Sequence, residues 1–180
     1  MPQNGLPSHR QLILSLIDSL STTSPGPSAP TPHPADHDRR SLLLTLHVLL
    51  PGMVLPALDL LDRQLVSCVS VDNQDFFLVQ SSAGSRRGPP RHHLVLLDGW
   101  NCSCAAFALD SYGRHSAALD LEPGANDSTS NALPSLEEHT PCCKHLLACL
   151  VAQSWRNSLG NSLQQKQVTR EELAALISNI

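Results

Sequence analysis

Apolar positions recur along this chain in two rhythms, one helical and one extended. Leu12, Ile13, Leu16, Ile17 and Leu20 are spaced three and four apart, opposite Arg10, Ser15 and Ser19, which predicts an amphipathic helix over 9–20. After Asp38 or Ser41 as N-cap, Leu42 to Leu50 reads as a helix that Pro51-Gly52 stops. Val54 to Asp62 reads as a second, shorter helix with Pro56 near its start. The rhythm then changes. Leu65 to Val71 and Phe76 to Gln80 are β-branched and aromatic runs separated by the turn-forming Asp72-Asn73-Gln74-Asp75, and His92 to Leu97 is a third run, which together predict a small antiparallel sheet. Helical spacing returns at Leu146, Leu147, Leu150, Val151 and Trp155. Thr169-Arg170-Glu171-Glu172 has the form of a capping box and opens a last helix toward Ile177. The fold class expected is α+β, with a helical N-terminal part, the sheet, and a C-terminal helix.

Between these elements the composition turns polar. Residues 21–38 are Ser, Thr, Pro and His with hardly an aliphatic, too little apolar surface to offset the entropy of ordering, and read as a linker. Residues 81–91 form a Gly, Ser and Arg loop, and residues 110–140 a long one rich in Gly, Asn, Ser and Pro. The organisation expected is therefore a helix at 1–20, a linker at 21–38, a helical segment at 39–64, a central domain at 65–157 with a variable loop at 110–140, and a helical tail at 158–180. The N-terminal helix has two readings: it docks a partner, or it docks on its own domain.

Composition narrows the function classes. Of 180 residues, 41% are hydrophobic and only 3% aromatic, so a sizeable aliphatic core is available and disorder throughout is excluded. A formal charge of -4 and just two lysines, Lys144 and Lys166, deny the chain a general positive field for DNA or anionic lipid. The apolar stretch from Leu42 to Leu61 is interrupted by His47, Pro51-Gly52, Pro56 and Asp59, which argues against a membrane span. The N-terminal apolar run is short, broken by Asp18 and preceded by a single Arg10, a poor export signal, so the six cysteines are expected in a reducing compartment as metal ligands or core thiols. The sequence contains no phosphate-cradling Gly-x-x-x-x-Gly-Lys-Ser/Thr loop, no Gly-x-Ser-x-Gly elbow and no His-Glu-x-x-His run, and no enzyme activity is expected.

The informative residues are Cys102-Ser103-Cys104 and, after 38 intervening residues, Cys143-Lys144-His145. In an extended segment, side chains at i and i+2 share a face, so Cys102 and Cys104 can grip one ion from a strand end. In a regular helix i and i+2 point about 200° apart. Cys143 and His145 therefore converge only if Cys143 is an N-cap whose sulfur accepts backbone N–H groups that lack helical partners. Cys142 remains a competitor, since it lies three residues before His145 and would share its face in a helix starting at Pro141. Cys68 and Cys149 read as buried strand and helix thiols; His92, His93, His115 and His139 read as solvated, and His33 and His37 fall in the linker.

The order Cys-x-Cys, variable gap, Cys-x-His resembles the SWIM zinc finger, a ββα module. The flanking text, Leu58-Asp59-Leu60-Leu61-Asp62-Arg63-Gln64, Cys102-Ser103-Cys104-Ala105-Ala106-Phe107-Ala108 and Cys143-Lys144-His145-Leu146-Leu147-Ala148, is similar to the SWIM-domain subunit of the Shu complex over residues 40 to 157. The resemblance implies one structural Zn2+ held by Cys102, Cys104, Cys143 and His145, and it is the resemblance that prefers Cys143 to Cys142. It further implies a nuclear, non-catalytic protein whose partners are RecA-like recombinase paralogues, promoting recombinase filaments on single-stranded DNA in homologous recombination and DNA repair. Two alternatives are a direct single-stranded DNA module, with Arg86, Arg87, Arg91, His92 and His93 on phosphates, and a SWIM-type adaptor in another complex.

Overall fold

The computed structural model describes residues 7–22, 34–81, 91–117, 140–156, 163–178 and 180. Arg86, Arg87, His33, His139, most of the expected linker and residues 118–139 of the expected loop lie outside them. Three helices, α1 (His9–Thr22), α2 (Pro34–Leu49) and α3 (Val54–Asp62), precede four strands, β1 (Val66–Val71), β2 (Gln74–Gln80), β3 (His92–Leu96) and β4 (Asn101–Cys102). Helices α4 (Ala105–Ala117) and α5 (Lys144–Ser154), strand β5 (Gln164–Gln167) and helix α6 (Arg170–Ile177) follow. The class is α+β.

The five strands form one open sheet in the order β4-β3-β2-β1-β5. Asp72 and Asn73 take φ of 47° and 65°, the left-handed pair that a two-residue hairpin turn requires, so β2 starts at Gln74, inside the expected four-residue connection. Three pairings are antiparallel, but β5 runs parallel to β1, so the sheet is mixed. β5 was expected to belong to a helical tail; its Gln164–Gln167 run is exposed throughout and carries no alternating pattern, so only the neighbouring β1 edge makes it a strand.

Burial explains the layering. Val66 and Cys68 of β1, Phe77 and Val79 of β2 and Val95 of β3 face a core shared with α1, α2, α3 and α5. Val69, Val71 and Leu78 face the other way, under Leu173 and Ile177 of α6. α5 is the central helix: His145 to Ala152 are buried without interruption, because the sheet covers one side and α1 and α3 the other. Thr169 closes the expected capping box on α6, accepting from the Glu172 N–H at 3.2 Å while the Glu172 carboxylate accepts from the Thr169 N–H at 3.0 Å.

Two helix boundaries differ from the pattern-based expectation, and the packing of α1 selects one of its two readings. α2 begins at Pro34, within the stretch read as linker, where proline's fixed φ suits a first helical position. α4 runs through Asp110 to Ala117, the start of the expected long loop, because Ala105, Ala106, Phe107, Ala108 and Leu109 propagate a helix that Cys104 caps. α1 docks on its own chain, burying Ile13, Ile17 and Leu20 against α2 and α5, with the Ser154 hydroxyl donating to the Ile17 carbonyl at 3.5 Å. α2 and α3 bend by 119° across Pro51-Gly52, where Gly52 takes φ +74°. Among the described residues no single helix is long and apolar enough to cross a membrane.

Candidate metal centre

The first half of the site is a strand end. β3 and β4 pair Val95 with Cys102 and Leu96 with Asn101. Ser103 then locks the next step: its N–H donates to the Leu94 carbonyl and its hydroxyl accepts from the Leu94 N–H, both at 3.0 Å. Ser103 is exposed while Cys102 and Cys104 are buried, so the extended backbone turns both sulfurs to one side. Cys104 then serves as cap for α4, its sulfur accepting from the Phe107 N–H at 3.3 Å.

The second half is the start of α5. Cys143 is its N-cap, with φ -140° and ψ 164°, and its sulfur accepts from the Leu146 N–H at 3.4 Å. The extended residue before the helix is what lets Cys143 and His145, two apart, face the same point. Both half-sites thus place a sulfur at a helix N-terminus, where otherwise unpartnered N–H groups favour negative charge. Pattern reading anticipates this at Cys143 and misses it at Cys104, because it places no element over 105–109 and reads the residues from Asp110 onward as a loop.

Cys102, Cys104, Cys143 and His145 are all buried, and one ligand atom from each lies within 4.8 Å of every other. No other group of three or more His, Cys, Asp or Glu of this kind occurs among the described residues. His145 Nδ1 is buried with no hydrogen-bond partner, and the chemistry of the set, three sulfurs and an imidazole, fits a bound cation. Taken by themselves the sulfurs hydrogen-bond to one another and compete for protons. Hydrogen bonds from Cys102 and Cys143 push Cys104 below the ordinary thiol range, and donating to Cys104 and Cys143 pushes Cys102 above it. A cation held by this group would displace the thiol protons.

Cys142 stands apart. Its S–H reaches the Cys143 carbonyl at 3.8 Å, and burial pushes its pKa up to about 12, leaving it a neutral thiol. Cys68 and Cys149 are buried and outside the group, as expected. His93 corrects an expectation: it is not a solvated edge residue. It shares the inner face of β3 with Val95, and its ring centroid lies 4.4 Å from that of His145. Counting alternate residues back from the buried Val95 was the signal that could have placed it. Arg91 is exposed and His92 half-buried, and neither reaches the group. Comparison with models of known protein families, with curated proteins and with solved structures found no match.

Proposed function

We propose that this chain is a SWIM-type structural zinc module, acting as the non-catalytic subunit of a Shu-like complex. The observation that carries this reading is the convergence of Cys102, Cys104, Cys143 and His145, from a strand end and a helix start, into one buried group. Zinc bonds to sulfur and imidazole at about 2.0 to 2.3 Å describe a tetrahedron with edges of about 3.5 to 3.8 Å, inside the span of this group. Three thiolates and a neutral imidazole around Zn2+ leave a net charge of about -1, which the N-termini of α4 and α5 stabilise by roughly 0.3 to 1 kcal/mol each. The shell is complete with four protein ligands and keeps no position for water, so the ion has a structural role.

The strands ahead of the first ligand pair and the helix opening at the second support the SWIM reading. The role in recombination rests on the flanking motifs quoted above. On this reading the protein works in the nucleus, binds RecA-like recombinase paralogues and promotes their filaments on single-stranded DNA. A direct hold on DNA by this chain has less support, since His93 packs on His145 and is not turned toward phosphates. The test is co-expression with recombinase paralogues followed by affinity purification and metal quantification. One zinc per chain together with stable co-elution is the expected result. A chain that elutes alone and without metal sinks the proposal.

A further inference from the structure

Nothing in the four ligands explains how two segments 38 residues apart are held in register. The answer lies in the residues just before Cys143. The Trp100 indole N–H, from the turn two residues before Cys102, donates to the Pro141 carbonyl at 2.8 Å. The Asp110 carboxylate, on α4 six residues after Cys104, accepts from the Cys142 N–H at 3.1 Å. Each side of the first half-site therefore reaches across to the backbone that delivers the second. Pro141 and Cys142 belong to no helix or strand, so no helical or sheet ladder orients this segment. Trp100 takes φ +46°, an uncommon conformation for a bulky residue that persists where the surroundings demand it. It is buried, and the Arg10 guanidinium covers its ring at 4.6 Å, which ties α1 to the same point.

We propose that Trp100 and Asp110 are positioning residues of the metal centre, holding the Cys143 and His145 half in place and so setting how tightly the ion is bound. The inference rests on the metal-ion reading above. The hydrogen bond to Asp110 is charge-assisted and therefore among the stronger kind. Partners that orient ligands at this remove typically change metal affinity by about 10- to 100-fold when removed.

The experiment uses the full chain titrated with Co2+ and then with Zn2+ against a competing chelator. Trp100→Phe keeps an aromatic, though smaller, ring and loses the donor; Asp110→Ala loses the acceptor; Asp110→Asn keeps a carbonyl oxygen for the Cys142 N–H. The expected result is a 10- to 100-fold weaker affinity for Trp100→Phe and Asp110→Ala, altered Co2+ ligand-field bands in both, and recovery of most of the loss in Asp110→Asn. Altered bands separate positioning from a general loss of stability, which leaves the spectrum of the loaded site as in the parent. Parent-like affinity in all three variants overturns the inference, as does weakened affinity with unchanged bands and no recovery in Asp110→Asn. A parent that binds neither ion overturns the metal-ion reading itself, a result distinct from either.

Discussion

Single residues decide which side chains join the buried Cys102, Cys104, Cys143 and His145 group that could hold a cation. Cys143 accepts the Leu146 N–H and belongs to the group of four, whereas its neighbour Cys142 is a protonated thiol turned toward a carbonyl. Cys104→Ala and His145→Ala are expected to lose the ion and several kcal/mol of stability, and Cys142→Ala to retain the ion with a stability change of about 1 kcal/mol, read from metal content and urea midpoints. Metal lost from Cys142→Ala and kept in Cys143→Ala reverses the assignment. A second residue-scale prediction concerns Asp75. The Ser70 hydroxyl donates to it at 2.6 Å and Arg156 at 2.7 Å, which holds its carboxyl below the ordinary range. A lowered carboxylate pKa contributes stability that is present above the unfolded value of about 3.9 and lost as pH falls through the folded one. The stability gap between the parent and Asp75→Asn should therefore be full at pH 7 and shrink below about pH 4, as measured by denaturant midpoints at both.

At the scale of elements, α1 and α6 are secured in different ways. α1 has an apolar face buried inside its own chain, so Ile17→Ala is expected to cost about 2 to 5 kcal/mol, the range for a large aliphatic side chain removed from a packed core. If instead α1 were held only weakly, the urea midpoint would barely move. α6 is short and covers one patch of the sheet through Leu173 and Ile177, so its capping box is a larger share of its stability. Thr169→Ala should cost about 0.5 to 2 kcal/mol and raise amide exchange over 170–177 before it affects α5. The pattern-based reading placed α1, α3, α5 and α6 because each shows a helical stripe or a recognisable cap. It missed α4, whose outer positions Leu109 and Tyr112 are exposed and give no clean stripe, and β5, which has no buried side chain to show a period of two.

For the whole molecule, the group formed by Cys102, Cys104, Cys143 and His145 joins the β3–β4 hairpin to the central helix, and on the zinc reading proposed above a bound ion would cross-link the two. The apparent binding energy of a structural zinc site, about 10 to 16 kcal/mol, equals or exceeds the total stability of an ordinary domain, about 5 to 15 kcal/mol. Chelation should therefore unfold the domain cooperatively, with loss of far-UV circular dichroism that stoichiometric zinc restores. An unchanged spectrum in excess chelator would contradict a structural role. Protons compete with the ion for the thiolates, so the apparent affinity is expected to fall as pH is lowered.

The local pattern by itself determined the α+β class, a hairpin connection within Asp72-Asn73-Gln74-Asp75, the Thr169 cap and the two candidate half-sites, Cys102-x-Cys104 and the Cys142-Cys143-x-His145 stretch, because each depends on spacing within a few residues. The choice of Cys143 over Cys142 was not among these: residue spacing left both open, and the extended N-cap geometry places Cys143 in the group and leaves Cys142 outside it. Tertiary structure alone decided the parallel pairing of β5, the docking of α1 on its own domain, and the contacts of His93, Trp100 and Asp110 around the site. These depend on segments far apart in sequence coming to lie side by side, and no periodicity along the chain encodes which distant surface a residue will meet.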